Sequence, residues 1–368
     1  MISHDFIYFC GHKINKKINM EKGKVYFGNN AYQELSDYLK NKQNFSKVFV
    51  LVDSNTSEHC LPPFLQNVGI LKDYELIEIE PGEENKNINT VVSLWESLTE
   101  LGADRKSLLI NLGGGVLTDM GGFVASTFKR GIKFINVPTT LLSMVDASTG
   151  GKTGIDLGNL KNQIGVFNLP EMVIVSSEFL STLESRQMRS GLAEMIKHGL
   201  IADKYHWERL NDLDNLDLSS LDSLIKQSVS VKIKVVTEDP TEQGLRKILN
   251  FGHTIGHAVE TFYMNTDKML FHGEAIAIGM IAEAYISTLK TGFEMDDADR
   301  IKKVILEYFP KTEIDKKDFK AILDLTKHDK KNVSGVIGFS LLEYIGSCAY
   351  DCYALPDEIE DALAYYME

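Results

Sequence analysis

Cysteines and long apolar runs are scarce in this chain. Four cysteines among 368 residues are too few for a disulfide scaffold, and Cys348 and Cys352 lack the second close pair that a structural zinc site needs. No apolar run approaches the length that spans a membrane, and the first residues lack the continuous apolar core of a secretion signal. We therefore expect free thiols, no membrane partner and a cytoplasmic location.

Basic residues are fewer than acidic ones. The chain has 39 Lys and Arg against 52 Asp and Glu, which gives a formal net charge of -13 at pH 7. Such a charge repels nucleic acid, so an anionic ligand has to be held by a local cluster of Lys and Arg. We therefore expect a small anionic substrate and no nucleic-acid partner.

The two halves of the sequence differ in pattern. In the first half, short β-branched runs alternate with helical stretches, as in buried parallel strands covered by helices. After about Ser177 long helical patterns dominate, and only Val333 to Ile345 has an extended pattern. Because the chain is too long for one comfortable core, we predict an α/β domain with a mostly parallel sheet over residues 1–183 and a mainly α-helical domain over 184–368. The predicted strands are Lys47 to Val52, Tyr74 to Ile79, Ser107 to Leu112, Lys133 to Val137 and Met172 to Val175, and the predicted helices of the second half are Leu221 to Val236, Arg246 to Phe262, Glu274 to Leu289 and Asp296 to Tyr308.

One predicted helix carries an unusual polar stripe. Arg246, Asn250, His253 and His257 are spaced by four, three and four residues, so they share one helix face. A face that combines a cation, an amide and two imidazoles, with glycines between them, favours a wall that faces a small molecule. The stripe therefore indicates an enzyme.

A metal site is the next hypothesis. Glu194, His253 and His272 supply one carboxylate and two imidazoles, a standard ligand set for a catalytic zinc with an open position. His257 would then be a proton carrier. Two alternatives stay open: His253 and His257 could chelate the metal as a pair, and Glu194 with its neighbours could be an ordinary surface ion pair.

A glycine turn suggests a nucleotide site. Gly113–Gly115 follow a predicted strand and precede a helix expected over Thr118 to Ser126. Consecutive glycines let backbone N–H groups approach a pyrophosphate, and the helix N-terminus adds its dipole. The run is not the G-x-G-x-x-G pattern, so a tight connection remains equally possible. Asp53 to Asn55 could bind a ribose hydroxyl or cap a helix, and the Gly82 to Lys86 turn is equally open.

A polar segment from Pro138 to Thr153 is predicted to be a phosphate-binding loop. Its hydroxyls, backbone amides and Lys152, with Lys161 further on, are suitable phosphate donors. Arg130 and Asp146 at the ends of flanking elements favour this function over a solvated loop.

Further cations point to an acid substrate. Lys232 and Arg246 together would suit a carboxylate, and Lys330 or Lys331 would suit a phosphate. For each lysine taken alone, solvent exposure is the commoner explanation.

Ordered blocks across most of the chain resemble the 3-dehydroquinate synthase family, a branch of the sugar-phosphate cyclases. The first twenty or so residues match no block, and Asp156 stands where asparagine is more usual. The matching blocks are Gly113-Gly-Gly-Val-Leu-Thr-Asp119, Lys129-Arg130-Gly131, Val137-Pro-Thr-Thr-Leu-Leu, Val145-Asp146, Gly150-Gly-Lys-Thr153, Lys161-Asn162-x-Ile164-Gly165, Gly191-Leu-Ala-Glu194-x-Ile-Lys197, Glu242-x-Gly-Leu-Arg246, Asn250-x-Gly-His253-x-x-Gly-His257, His272-Gly-Glu274 and Asp329-Lys-Lys331.

The resemblance implies a reaction and its cofactors. NAD would bind the α/β domain and be retained through the cycle, and the helical domain would bind one divalent metal, zinc or cobalt. The phosphorylated sugar acid 3-deoxy-D-arabino-heptulosonate 7-phosphate would become 3-dehydroquinate and phosphate, a lyase step of the shikimate pathway, in a homodimer. The alternatives are a related cyclase acting on glucose 6-phosphate or sedoheptulose 7-phosphate, and a metal-dependent polyol dehydrogenase. Lys232 and Arg246 favour the acid substrate.

The resemblance also implies roles for individual residues. Metal ligands would be Glu194, His253 and His272. The implied catalytic residues are Glu242 and His257, which would carry protons, with Lys152, Lys197 and Arg246. The implied substrate-binding residues are Arg130, which could come from a dimer partner, Asp146, Lys152, Asn162, Lys197, Lys232, Arg246, Asn250, Lys330 and Lys331. The implied NAD-binding residues are Asp53, Asn55, Glu83, Lys86, Gly114, Gly115, Val116, Asp119, Thr139, Thr140, Lys161 and Thr182.

Overall fold

A parallel sheet organises the first half of the chain. The computed structural model describes residues 22–41, 45–158, 160–211, 218–264, 266–326 and 337–368, without side chains at 218 and 219. The sheet contains β1 (Lys24–Phe27), β2 (Val48–Asp53), β3 (Glu75–Ile79), β4 (Leu108–Gly113), β5 (Lys133–Pro138) and β8 (Met172–Val175). Its order is β1-β8-β5-β4-β2-β3, and every pair is parallel. The five predicted strands are confirmed, whereas the short edge strand β1 was not predicted.

Helices cover both faces of this sheet. Strand β2 shows the reason, because Phe49 and Leu51 enter one apolar layer while Val50 and Val52 enter the other. Strands buried on both faces have continuous apolar sequences, which is why they could be predicted. The helices of this half are α1 (Gly28–Lys40), α2 (Ser54–His59), α3 (Leu61–Asn67), α4 (Ile88–Glu100) and α5 (Gly115–Thr127).

The predicted phosphate-binding loop, Pro138 to Thr153, contains a short helical turn and runs into a β-hairpin. A short π-helix, Ser143–Ala147, precedes β6 (Lys152–Leu157), which pairs antiparallel with β7 (Leu160–Phe167). The hairpin takes only Lys152 and Thr153 from the predicted loop, and it was not predicted, although Thr153 and Ile155 are buried where β6 packs against α5. Glycines and lysines on the other positions hide this alternation in the sequence.

The second half is mainly helical, as predicted. Its one hairpin is β9 (Gly338–Tyr344) with β10 (Ser347–Tyr353) among the described residues, and residues 333–336 of the predicted extended segment lie outside them. Strand β10 was not predicted, because bulges interrupt its alternation. The helices are α6 (Ser185–Ala202), α7 (Lys204–Leu210), α8 (Leu218–Glu238), α9 (His253–Tyr263), α10 (His272–Lys290), α11 (Met295–Tyr308), α12 (Phe319–Thr326) and α13 (Pro356–Met367).

The predicted helix over residues 246–262 is broken in two. A 3-10 helix, Leu245–Asn250, ends before Gly252, and α9 begins at His253. Gly252 has φ 79°, and a Cβ there would lie 2.6 Å from Cγ of Met280 on α10. The single-stripe prediction is therefore wrong, because close packing against α10 requires a left-handed glycine at this point.

One apolar core joins the two halves. The layer that holds Val50 of β2 continues to Ile196 of α6, Ile255 of α9 and Leu341 of β9. Since no gap in this core marks residue 183, the domain boundary stays a prediction. Within the described ranges, no helix is both long and apolar enough to cross a membrane.

Candidate active site

Three histidines converge where α9 and α10 begin. His253 and His272 are the first residues of these helices, and the ring centroid of His253 lies 5.1 Å from that of His257 and 5.5 Å from that of His272. Oε1 of Glu194, on α6, is 3.5 Å from Nε2 of His253 and 3.6 Å from Nε2 of His272. We call these four residues the imidazole cluster.

The imidazole cluster has the dimensions of a metal site. Ligand atoms around tetrahedral zinc lie about 3.4 Å apart, because each metal–ligand bond is about 2.1 Å. Glu194 is fully buried, and its Oε1, which faces the two imidazoles, forms no hydrogen bond with the described part of the chain. A divalent cation between Glu194, His253 and His272 would satisfy this buried charge. The nitrogens of the three histidines also lie within 4.8 Å of one another, so a histidine-only set is geometrically open.

Acceptors on the far side of two rings orient them. Nδ1 of His253 lies 3.1 Å from the carbonyl oxygen of Phe251, and Nδ1 of His272 lies 3.5 Å from Oε2 of Glu260. A ring that donates its Nδ1–H to such an acceptor keeps a lone pair on Nε2. Both Nε2 atoms face Glu194, so each would be a metal ligand once it carries no proton.

The second oxygen of Glu194 faces a lysine cluster, formed by Asp146, Lys197, His198 and Lys232. Oε2 of Glu194 pairs with the ammonium group of Lys197, and Oδ1 of Asp146 lies 2.6 Å from Nζ of Lys232. Possible ligand atoms of Asp146, Glu194 and His198 also lie within 4.8 Å of one another. Burial and the charge of Lys197 lower the pKa of His198 to about 3, so its ring is neutral. Two ammonium groups repel a metal cation, so this cluster suits an anionic ligand better.

A third polar group joins the hairpin to the helical half. Lys152 of β6 forms an ion pair with Glu242, whose Oε1 accepts a hydrogen bond of 2.9 Å from Nδ2 of Asn250. Burial alone would raise the pKa of Glu242, but the charge of Lys152 lowers it below its usual value, so the carboxylate is ionised. Arg246 is buried beside them and donates to the carbonyl oxygen of Gly150 at 3.2 Å. Among the described residues, no carboxylate forms an ion pair with Arg246.

The glycine turn lies at the carboxyl edge of the sheet. Strand β4 ends at Gly113, and Gly114 brings no side chain to cap the first N–H groups of α5. A Cβ on Gly114 would lie 3.1 Å from Cγ2 of Thr140, so backbone and hydroxyl donors are close together. A helix N-terminus beside glycines at this edge is suited to a phosphate. Gly115 and Val116 form the first turn of α5, which begins earlier than the predicted Thr118.

Other residues expected for NAD lie along the same edge. Asp53 caps α2 by accepting a hydrogen bond of 2.8 Å from the N–H of Thr56, which bears out the helix-cap alternative. Exposed Asn55 follows on the same helix. The N–H of buried Thr139 donates to the carbonyl oxygen of Gly113 at 3.0 Å. Thr182 ends a 3-10 helix that follows β8.

A buried lysine ties the Glu83 turn to this edge. Lys86 is 3% exposed, and its Nζ lies 2.7 Å from Oδ2 of Asp119 and 2.7 Å from Oδ1 of Asn162. Burial disfavours its charge, but Asp119 and Glu83 hold the pKa of Lys86 above its usual value. Nζ of Lys161 lies 3.9 Å from Oε1 of Glu83. Asn162, expected at the substrate phosphate, therefore lies beside residues expected for NAD.

One expected substrate residue, Arg130, does not join these groups, and two others lie outside the described residues. Arg130 is exposed in a left-handed conformation, φ 70°, and forms no ion pair within the described ranges. Lys330 and Lys331 lie outside the described residues.

The sequence analysis missed a set of contacts, here called the clamp, between two of the three helices that carry the expected metal ligands. Arg186 of α6 donates from Nε and Nη2 to Glu274 of α10, each at 2.7 Å, and from Nη2 to the carbonyl oxygen of Met269 at 2.7 Å. Its guanidinium also lies 4.0 Å from the ring centroid of Phe271. The clamp holds the start of α10, and thus His272, against α6.

Two buried carboxylates were also missed. Glu283 of α10 accepts the backbone N–H of Gly252 at 2.7 Å and so fixes the start of α9. Glu260 faces His272, as described above. Glu260 follows His253 by two helical turns, so helix periodicity alone could have placed it on the ligand face.

Solved sugar-phosphate cyclases share this fold. The structure of 2-deoxy-scyllo-inosose synthase complexed with carbaglucose-6-phosphate, NAD+ and Co2+ matches with a TM-score of 0.81 and 26% identity, covering 92% of this chain and 95% of that chain. The structure of 2-epi-5-epi-valiolone synthase from Streptomyces hygroscopicus, with NAD+ and Zn2+ bound, matches with a TM-score of 0.80 and 23% identity, covering 95% and 98%. At 23% identity, this second match supports the fold and nothing further.

Sequence comparison narrows the class. Family models for the N-terminal and C-terminal parts of 3-dehydroquinate synthase match residues 76–190 and 191–332. A 3-dehydroquinate synthase from Parabacteroides distasonis is 42% identical over 351 residues, which are 95% of this chain and 99% of that protein. The chain therefore belongs to the 3-dehydroquinate synthase family.

Proposed function

We propose that this protein is an NAD- and metal-dependent 3-dehydroquinate synthase. It would convert 3-deoxy-D-arabino-heptulosonate 7-phosphate to 3-dehydroquinate and phosphate, as a carbon–oxygen lyase. Family membership and the relative that is 42% identical support this reaction. A cytoplasmic location stays a prediction.

The burial of Arg246 without an ion pair among the described residues is the observation that supports an acid substrate. The residue is 2% exposed, and no carboxylate of the described residues forms an ion pair with its guanidinium. Burial of an unpaired cation is costly, so a bound carboxylate would offset that cost with charge-assisted hydrogen bonds. Lys232 of the lysine cluster would bind the same carboxylate or a neighbouring hydroxyl, and Asp146 would hold that lysine in position.

The remaining polar residues would position the substrate and move protons. Lys152 would bind phosphate, while Lys197 and Asn250 would bind hydroxyl groups. Glu242, ionised beside Lys152, would accept a proton, and His257 would relay one. In the elimination, the C6–H and C7–O bonds break, a C6–C7 double bond forms, and the departing phosphate carries the proton away. Positioning and charge balance are then the main tasks of the protein.

The cofactor sites follow from the same geometry. Glu194, His253 and His272 would hold zinc or cobalt, and the turn at Gly114 with Lys86 would hold NAD. NAD, when bound, would take a hydride from C5 and return it, while the metal would polarise substrate hydroxyls. The Co2+ and NAD+ in the 26% identical synthase support this choice.

We also propose that two copies associate through the hairpin β6–β7. Its exposed apolar residues include Leu160, which is 55% exposed, and Phe167, which is 61% exposed. Several exposed apolar side chains on one hairpin indicate a protein–protein contact, whereas single scattered ones do not. Arg130 would then reach the partner's site. Phe167→Asp should produce monomers in sedimentation analysis, whereas Tyr205→Asp, on another exposed aromatic residue, should not. Association unchanged by Phe167→Asp would contradict this interface.

The reaction is tested by phosphate release from 3-deoxy-D-arabino-heptulosonate 7-phosphate. Protein stripped by a chelator is given zinc and NAD while NADH absorbance is followed. Metal-dependent phosphate release without lasting NADH is expected. Net NADH production would indicate a dehydrogenase, and turnover of glucose 6-phosphate or sedoheptulose 7-phosphate alone would overturn the acid-substrate assignment.

A further inference from the structure

Glu260 links the imidazole cluster to the hairpin. Its side chain is 7% exposed, with Oε2 3.5 Å from Nδ1 of His272 and Oε1 2.7 Å from Nζ of Lys161. Nε2 of His272 lies 3.6 Å from Oε1 of Glu194 on the opposite side of the ring. The imidazole of His272 is thus placed between two buried carboxylates, only one of which belongs to the expected ligand set.

This placement gives Glu260 a specific effect on His272. A carboxylate at Nδ1 favours the tautomer with its proton there and its lone pair on Nε2, toward Glu194. Glu260 also limits rotation of the ring. Lys161 offsets the cost of burying the Glu260 carboxylate, and it comes from β7, in the sheet half of the chain. A change in the hairpin can therefore reach a metal ligand through two side chains.

We propose that Glu260 is a positioning residue for the metal, held in place by Lys161, so that the hairpin β6–β7 sets the metal affinity of the imidazole cluster. The inference rests on the proposed function insofar as His272 is a metal ligand. It adds that a residue of the sheet half controls metal binding without touching the metal.

The test is Co2+ affinity, measured by competition with a chromophoric chelator, together with the visible spectrum of the Co2+-loaded protein. Glu260→Gln should weaken Co2+ binding by about 10- to 100-fold and shift the cobalt bands, because an altered acceptor at Nδ1 changes the ligand. Glu171→Gln is the matched control, since this carboxylate is 14% exposed and pairs with Lys22 and Lys133 at a different place. It should leave both readouts unchanged.

Lys161→Met tests the same link from a more exposed position, 34% for the side chain, if Glu260→Gln does not fold. Without NAD present, the Co2+ affinity of this variant should fall by about threefold or more, as it does when other groups that support a metal ligand are removed. Wild-type affinity and spectrum in either folded variant would overturn the inference while phosphate release by the wild type upholds the proposed function. Failure of the wild type to bind Co2+ would overturn both the ligand assignment and the inference.

Discussion

The imidazole cluster and the lysine cluster meet at Glu194 and differ in the charge around it. Each brings three possible ligand atoms within 4.8 Å. At the imidazole cluster, burial would lower the pKa of His272, but Glu194 and Glu260 raise it to about 9. At the lysine cluster, burial and Lys197 lower the pKa of His198 to about 3. Two carboxylates face one ring at the imidazole cluster, whereas at the lysine cluster each carboxylate is already paired with an ammonium group.

Ligand geometry alone therefore does not define a metal site in this protein. Two like charges about 4 Å apart cost about 4 kcal/mol at an effective dielectric constant of about 20. That cost corresponds to roughly a thousandfold in affinity for each of the two ammonium groups of the lysine cluster, and the carboxylates of Glu194 and Asp146 that pair with them offset part of it. The same argument makes it a suitable neighbour for an anionic substrate.

The largest expected effect separates the two clusters directly. His272→Ala should weaken Co2+ binding by more than about 100-fold and abolish metal-dependent phosphate release, because it removes a ligand. His198→Asn, in the lysine cluster, should change Co2+ affinity by less than about threefold, since it alters no ligand of the preferred set. Both are measured by chelator competition. The reverse order of losses would move the metal to the lysine cluster.

Next in size is removal of the buried cation near the lysine cluster. Arg246→Leu should weaken binding of the acid substrate on the order of 100-fold, because the carboxylate loses a desolvated charge partner. NAD affinity should change far less. Lys247→Leu removes an adjacent cation that pairs with Asp351, and should preserve substrate affinity. Isothermal titration calorimetry measures the affinity for each ligand. Equal losses of affinity for NAD and for the substrate would contradict the carboxylate-binding role of Arg246.

The smallest effect, about tenfold in the unfolding equilibrium per pH unit, concerns acid stability. The pKa of His198 is about 3 in the folded protein against 6.5 ordinarily, so the unfolded chain takes up the proton first. This contribution to stability is intact above pH 6.5 and falls by about 1.4 kcal/mol per pH unit as the pH drops from 6.5 toward 3. His198→Asn should lose stability less steeply in that range, measured by urea unfolding. Exposed His59→Asn is the control and should follow the wild type, and a His198 variant that follows it too would show that the ring titrates normally.

Much of the fold could be predicted because its signals are local. Buried strands such as β2 and β4 show continuous apolar runs, and helices α10 and α11 show clear periodicity. The hairpin β6–β7 and the break at Gly252 could not be predicted, because both depend on packing against α5 and α10. A pattern of polar residues looks alike in a loop and in a hairpin that buries alternate positions.

The sequence by itself determined the parallel α/β half, the helical half, the family resemblance and the inventory of acids, imidazoles and cations. Only the tertiary structure decided which of these meet: that Glu194 faces His253 and His272, that Lys161 reaches Glu260, and that buried Arg246 forms no ion pair with a carboxylate of the described residues. The physical reason is that backbone propensity and hydrophobic period act over a few residues. Charge partners, burial and pKa depend instead on distances between segments that are far apart along the chain.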